Sequence, residues 1–458
     1  MQQGKKAHKT RFLVPLAVVL FSLLGIVLFL TNPILPILNR RMVETRHDYS
    51  WSGLVVQVST ILMVVFLILV LVRYVAQIIL ALLYYGRYTF RYGYKAHHFT
   101  PPISVIVPAF NEEKLIQQTL TSLLNLDYPE YEVIIVDDGS TDGTARIVQQ
   151  FLGKHGAATL RLVTKPNGGK STALNAGIQV AQYEYVLCAD GDSNLAPDTL
   201  MAAIRHMEDP QIGAVAGNVK VMNRNSFWTI FQALEYVEGL NLTRTAQSFL
   251  KLVNIVPGPV GLFRKSAIKE VGWYSSDTFA EDCDLTLKLL RNGWKIVYEP
   301  RSISWTEAPN TMFSLIKQRY RWTRGILQAI RKNRQEKWSS FGAWVFMWLV
   351  IFEAFIWPFV NVAVTFYFVM VSFGFGISYY LLFWWITLAL LDVVTALFAV
   401  TAEGEELRLV LIAAFYRLFF VIVIDICKVL ATLEEFLGFK MSWDKLDRIG
   451  SGQKVRYS

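Results

Sequence analysis

The chain has 458 residues, in which 45 Lys and Arg against 36 Asp and Glu leave a formal charge of +9, with 53% hydrophobic and only 18% charged residues. Soluble domains carry about 25% charged residues, so this composition excludes an ordinary cytosolic enzyme. No basic run with interleaved aromatics occurs outside the flanks of the apolar segments, which points to membrane lipid rather than nucleic acid as the partner of the positive charge.

Residues 12–30 are 19 positions without a charge, about the length that crosses a hydrocarbon core of ~30 Å. A cleaved signal peptide is the alternative, but the run is longer than a usual signal core and no small-residue cleavage site follows. Residues 54–72 predict a second span, continued by apolar residues toward Arg87, Arg91 and Lys95. Lys5, Lys6, Lys9 and Arg11 precede the first span and favour an N-terminus inside, although Arg40, Arg41 and Arg46 weaken the bias. Residues 1–95 are therefore expected to form a membrane region of two transmembrane helices that returns the chain to the cytoplasm.

From 96 to 340 the composition is that of a soluble α/β domain. ISVIVP at 103–108 and EVIIV at 132–136 are short β-branched runs flanking a helical pattern at 115–126, a βαβ unit with buried parallel strands. LRLVT at 160–164 and YVLCA at 185–189 repeat the strand pattern around a helix over STALNAGIQVA. The fold predicted is an open α/β sheet with ligands at the carboxyl ends of its strands. There lie Asn111, Glu112 and Glu113, then Asp137, Asp138, Gly139 and Ser140, then Asp190, Gly191 and Asp192.

VDDGSTDGT is also ordinary turn chemistry. The pair Asp190 and Asp192 is more telling, because two carboxylates converging at a strand end repel unless a cation sits there, and hard oxygens suit Mg²⁺ or Mn²⁺ shared with phosphate. NGGKST at 167–172 is not a phosphate-binding P-loop, since Thr164 stands where the first Gly is required; Lys170 remains a point charge for a phosphate. Glu281 and Asp282 open a helix, DLTLKLLRNGW, that ends at Asn292-Gly293. A helix N-terminus favours an ionised carboxylate, poised to accept a proton, unless Asp282 or Asp284 merely caps the helix. Gln318, Arg321 and Trp322 share one helix face, offering an amide, a guanidinium and a flat ring to a sugar phosphate, or an anchor at the lipid interface. The cysteines, Cys188, Cys283 and Cys427, are too scattered for a disulfide framework or a structural zinc site.

The chain turns apolar again at 341. Residues 341–373 would measure roughly 50 Å as one helix, so an interfacial or broken helix is expected, with Glu353 and Pro358 marking the irregularity. Residues 376–400 are a cleaner span. The stretch 407–435 carries Arg417, Asp425 and Lys428 within roughly 80° of one helix face. Such charges point at protein or a watery path, or mark a half-interfacial helix with snorkelling ends. The number of C-terminal passes and the side of the C-terminus stay open. Residues 341–438 are thus interfacial and transmembrane helices, and 439–458 a basic tail.

The ordered set VIVPAFNE, VDDGSTD, KPNGGKSTALNAG, ADGD, AEDCDLTLKL and QRYRW resembles the family-2, GT-A-fold membrane glycosyltransferases that build polysaccharides. It covers about residues 100–330. The resemblance implies an α/β fold of GT-A type, an open mixed sheet with helices on both faces, flanked by N- and C-terminal transmembrane helices. It implies that Asp138 contacts the uracil, with Asp137 kept beside it and Pro108, Phe110 and Glu112 as further substrate-binding residues, that Asp190 and Asp192 hold Mg²⁺ or Mn²⁺ on the diphosphate beside Lys170, and that Asp282, next to Glu281, is the catalytic base. Gln318, Arg321 and Trp322 would bind the acceptor end and the nucleotide. Within the family, AEDCDLTLKLLRNGW and PGPVGLFRKSAIKEVGW look most like bacterial poly-β-1,6-N-acetylglucosamine synthases. Hyaluronan and chitin-oligosaccharide synthases usually place Arg-His after the catalytic acid, where this chain has Cys283-Asp284. Ala280 departs from the commoner Thr before Glu281-Asp282.

The expected activity is inverting transfer from a UDP-sugar, UDP-N-acetylglucosamine by resemblance, to a growing polysaccharide that leaves through the membrane. The plasma membrane would hold the chain as a multi-pass protein with its catalytic domain cytoplasmic, with room for a small accessory membrane subunit. A rival is a single-addition transferase acting on a glycolipid acceptor of the ceramide or polyprenyl-phosphate kind, with which a related QRYRW-like motif is compatible. A third reading, a sugar-sensing receptor with a dead transferase domain, is opposed by intact Asp190, Asp192 and Asp282.

Overall fold

The computed structural model describes residues 35–45, 47, 49–92, 98–334, 336–376 and 379–439, with Ala17, Gly25 and Asn32. The span expected at 12–30 and the tail at 440–458 lie outside the described residues. The principal helices, in chain order, are α1 (Trp51–Tyr92), α2 (Ile116–Leu124), α3 (Lys170–Val180), α4 (Glu281–Arg291), α5 (Met312–Asn333), α6 (Phe341–Ile351), α7 (Trp357–Phe375), α8 (Tyr379–Glu403), α9 (Arg408–Tyr416) and α10 (Ile422–Leu437). The strands are β1 (Ile103–Ala109), β2 (Tyr131–Asp137), β3 (Gly153–His155), β4 (Ala158–Thr164), β5 (Tyr185–Cys188), β6 (Asn194–Leu195), β7 (Ile212–Val221), β8 (Gly261–Arg264) and β9 (Lys295–Thr306). Two compact units result, one of Met1–Tyr94, Val237–Ala246 and Phe355–Val429, the other of Lys95–Tyr236, Gln247–Ala354 and Leu430–Ser458.

In the second unit all nine strands join one mixed sheet in the order β3-β4-β2-β1-β5-β8-β7-β9-β6. The four strands read from sequence are its parallel half: β1 pairs in parallel with β2 and β5, and β2 with β4. The apolar runs of β1, β2 and β5 are buried, as expected of parallel strands covered on both faces, whereas β4 is buried only at Ala158 and Leu160. α3 lays Ala173, Leu174 and Ile178 into the same core as Ile106, Ile134 and Val136. Gly177 makes that approach possible, because a Cβ there would lie 2.4 Å from the Ile106 side chain. α4 adds Leu285, Leu289 and Leu290 to this core. It ends at Asn292 and Gly293, the latter at φ +92°, where a side chain would be strained. In the other half β8 pairs antiparallel with β5 and β7, β7 runs parallel to β9, and β6 pairs antiparallel with β9.

The first unit is helical. Trp51–Tyr88 and Tyr379–Glu403 belong to it whole, Phe341–Phe375 and Arg408–Leu437 in part, and all four are long and apolar enough to cross a membrane. The break expected near Glu353 is a π-helical turn at Phe352–Ile356, and Pro358 follows it inside the same continuous helix, where its missing N–H leaves a carbonyl one turn back without its helix bond. Arg417 and Asp425, both read as charges on one face, meet protein. The Arg417 guanidinium donates to both Asp392 oxygens at 2.7 Å, and Tyr74 donates to Asp392 at 2.8 Å. Asn361 donates to Asp425 at 2.6 Å, and Lys428 lies 3.8 Å from the same carboxylate. Val237–Ala246, inside the segment 96–340, clusters with these helices, where Gln77 donates to Thr243 at 2.7 Å.

Candidate active site

The site forms where β1, β2 and β5 end side by side. Ala109 is paired with Asp137, and the Asp138 N–H donates to the Ala109 carbonyl at 2.9 Å. Beyond β1 the chain turns through Asn111 at φ +53°. That turn is stitched to the loop after β2: Asn111 N–H donates to Ser140 Oγ at 3.0 Å, Glu112 N–H to Thr144 Oγ1 at 2.8 Å, and Thr141 N–H to Asn111 Oδ1 at 2.8 Å. Ser140, Thr141 and Thr144 thus build the loop pair that carries Phe110 and Glu112.

Asp137 accepts from the Ser140 N–H at 3.1 Å. Asp138 is buried, and its carboxylate receives the N–H groups of Gly168 and Gly169 at 3.1 and 2.8 Å and the Lys165 ammonium at 2.5 Å. Asp138 therefore holds the NGGK loop in the conformation that starts α3 at Lys170. Gly169, at φ +87°, is the residue that admits this turn.

The Asp190-Gly191-Asp192 turn follows β5 and rests directly on β1. A Cβ on Gly191 would lie 2.9 Å from the Pro108 carbonyl and 3.3 Å from Glu112 Cγ, and Thr119 of α2 donates to the Gly191 carbonyl at 3.0 Å. Asp190 is part-exposed and Asp192 buried. Across the site, the Lys170 ammonium lies 2.6 Å from Asp190 Oδ1 and 3.0 Å from Glu281 Oε1. Burial alone would push this ammonium down, but Asp190, Glu281 and Asp282 outweigh it and hold it above its ordinary range. Burial, then the neighbouring Glu281, pushes Asp282 up to about 6, against the opposing pull of Lys170. Asp282 Oδ1 also accepts from the Cys283 N–H at 2.8 Å. Asp284 is structural: fully buried, it accepts from Asn333 at 2.9 Å and lies 3.2 Å from Lys288.

Gln318, Arg321 and Trp322 are half-buried on α5. Gly325 shares their face, one turn on, and its bare Cα abuts the segment that leads into Glu281: a Cβ would lie 2.6 Å from Ala280 N. Ala280 is thus a contact residue as well as the point where the chain departs from the motif it resembles. Sequence reasoning missed Arg319, which is buried, pairs with Glu235, donates to Gln318 at 2.5 Å and lies 4.1 Å from the Trp322 ring centroid. It also missed Gly258, flanked by Pro257 and Pro259, which lets its loop approach Lys170 and Asp190; a Cβ there would lie 2.6 Å from Lys170 Nζ and 3.4 Å from Asp190 Oδ1. The Pro-Gly-Pro run was its only local signal. Among the described residues no group of three or more His, Cys, Asp or Glu is placed to hold a metal ion.

Residues 101–325 match the family model described as "Glycosyltransferase like family 2". Two curated relatives bear the name poly-beta-1,6-N-acetyl-D-glucosamine synthase. That of Staphylococcus epidermidis is 38% identical over 230 residues, 50% of this chain and 55% of the relative. That of Staphylococcus aureus strain COL is 35% identical over 224 residues, 49% of this chain and 54% of the relative. The chain thus matches only about half the length of these relatives. Among solved structures, a mannosyltransferase from Pyrobaculum calidifontis, in complex with GDP-Man and Mn²⁺, aligns with a TM-score of 0.52 at 22% identity, covering 80% of this chain and 97% of its own. That likeness is one of fold.

Proposed function

We propose that the glycosyltransferase family 2 domain formed by residues 101–325 is the catalytic part of an inverting, processive synthase that polymerises a UDP-sugar into a β-linked polysaccharide. The observation that carries this reading is the Lys170 ammonium bridging Asp190 and Glu281, because it joins the NGGK, ADGD and ED motifs at one point. Asp282, adjacent to that point and raised toward neutrality, is suited to take a proton from an acceptor hydroxyl. In-line attack on the anomeric carbon of an α-linked donor then yields a β-linkage by single displacement.

Asp190 and Asp192 offer hard carboxylate oxygens. A cation such as Mg²⁺ typically takes one or two protein carboxylates and completes its shell with substrate phosphate and water, so the donor set fits a divalent ion shared with the diphosphate. When bound, that ion would offset charge on the leaving group. Lys170 supplies a further positive charge on the same side. Pro108, Phe110, Glu112, Asp137 and Asp138 form the nucleotide end of the site, Asp138 by fixing the NGGK loop. Gln318, Arg321 and Trp322 receive the acceptor.

The names of the staphylococcal relatives support UDP-N-acetylglucosamine as donor and a growing polysaccharide as acceptor. The apolar helices support a multi-pass protein of the cell membrane that passes the polymer outward, with residues 96–340 cytoplasmic. UDP release by the purified chain against a panel of UDP-sugars with Mg²⁺ or Mn²⁺, followed by digestion of the product with linkage-specific hydrolases, tests this. UDP-N-acetylglucosamine turnover into a long product cut by a β-1,6-specific hydrolase is expected. One-sugar lipid products would replace processivity with single addition to lipid, and no UDP release with any donor would overturn the enzymatic reading.

A further inference from the structure

The last turn of α10 clamps α5 on the side where α5 meets the residues leading into the catalytic acid. Glu435 accepts from Arg324 Nε at 2.6 Å and from Gln328 Nε2 at 3.3 Å. Gln328 in turn accepts, through Oε1, from the Phe279 N–H at 3.2 Å. Arg324 is buried and also donates to the Phe439 carbonyl at 2.6 Å, while Tyr320 donates to Glu434. Gly325, between Arg324 and Gln328, gives up its side-chain space to the backbone of Phe279 and Ala280. Asp282 follows within three residues of Phe279.

We propose that Glu435 is a positioning residue for Asp282, acting through Gln328 and Arg324 to set the register of α5 against Phe279 and Ala280. The physical argument is one of constraint. The segment before α4 has no capping side chain at Ala280, so the orientation of the first turn of α4 depends on what holds the backbone ahead of it. Gln328 holds the Phe279 N–H, the close contact at Gly325 fixes the distance, and Glu435 fixes the Gln328 amide and the Arg324 guanidinium together. A carboxylate serves both donors at once. This role rests on Asp282 being the base of the proposed transfer, and it extends the site to the end of α10, far along the chain from any of the motifs.

The test compares Glu435→Ala, Glu435→Gln and Gly325→Ala in the full chain. Glu435→Ala is expected to lower kcat by about 10- to 100-fold, the scale of a small misplacement of a reacting group, with donor KM and UDP affinity unchanged. Glu435→Gln, which keeps an acceptor, should restore most of the rate. Gly325→Ala makes α5 a better helix yet should also lower kcat, because the new Cβ would press on Ala280; a role confined to helix stability predicts the opposite sign. Amide hydrogen exchange over 279–284 gives a readout independent of turnover and should quicken locally in Glu435→Ala. Wild-type rates in Glu435→Ala, or a fall in UDP affinity parallel to kcat, would overturn the positioning role. A wild-type chain that turns over no donor would instead strike the proposed function, and exchange at 279–284 would still decide whether Glu435 holds this segment.

Discussion

The Lys170 ammonium lies 2.6 Å from the Asp190 carboxylate, joining the start of α3 to the end of β5, and reaches Glu281 on its other side. Lys170 is therefore the internal counter-charge of the site as well as a candidate phosphate ligand. Lys170→Met is expected to weaken UDP binding by about 10- to 100-fold, the equivalent of roughly 1.5–3 kcal/mol for a hydrogen bond to a charged group. Calorimetry with UDP and Mn²⁺ checks this. Unchanged affinity would leave Lys170 with a purely structural task.

In the proposed mechanism Asp282 sets the acid limb of the pH profile. Burial and Glu281 raise its carboxyl to about 6, and the base must be ionised to accept a proton. Accordingly kcat/KM should be flat above about pH 6 and fall about tenfold per unit below it. Glu281→Gln removes a raising neighbour and should move the limb to lower pH, whereas Lys170→Met removes a lowering one and should move it higher. Asp282→Asn should keep UDP binding and lose about 10²–10⁴ in rate. Near-normal turnover by Asp282→Asn at equal protein would make Asp282 a helix cap.

Trp322 presents its ring beside Arg319, whose guanidinium lies 4.1 Å from the ring centroid. If Trp322 is the proposed floor for the acceptor, replacing it with Ala should cut polymer length far more than donor hydrolysis, because the chain would lose its stacking contact between additions. Trp322→Phe should retain part of the length. Product sizing on gels, with UDP release from the same samples, distinguishes this from a general loss of stability in which all activities fall together.

In the helical unit, Asp392 is fully buried and accepts from both Arg417 and Tyr74. Asp392→Ala leaves the guanidinium uncompensated and should cost about 3–5 kcal/mol, lowering the thermal midpoint in detergent. The joint replacement Asp392→Leu with Arg417→Met should recover most of that loss, since two apolar side chains leave no buried charge. Equal instability of the single and double variants would mean that the pair does more than neutralise itself.

What was legible in the sequence was local. Short apolar runs at 103–108, 132–136, 160–164 and 185–189 mark strands because their length and β-branched content suit a sheet strand, and the break near Glu353 follows from a 33-residue apolar run too long for one straight span. Asn292-Gly293 marks the end of α4 for an equally local reason, the left-handed backbone that glycine accepts. The second half of the sheet was less readable, since β6 and β8 are two to four residues long and gain their pairing only from neighbours distant in sequence.

Side-chain partners were decided by the tertiary structure alone. Asp138 stands in a motif whose resemblance implies nucleotide contact, yet its carboxylate is occupied by Gly168, Gly169 and Lys165, a fact that depends on how closely the loop after β4 returns to the end of β2. Lys170 meets Glu281, and Gly325 meets Ala280, because the sheet brings the starts of α3 and α4 to one edge and α5 packs against the latter. Arg417 and Asp425 could be placed on one helix face from their spacing, but their partners Asp392 and Asn361 belong to other helices. Periodicity fixes the direction in which a side chain points; which group waits there is set by packing between segments that the chain order keeps apart.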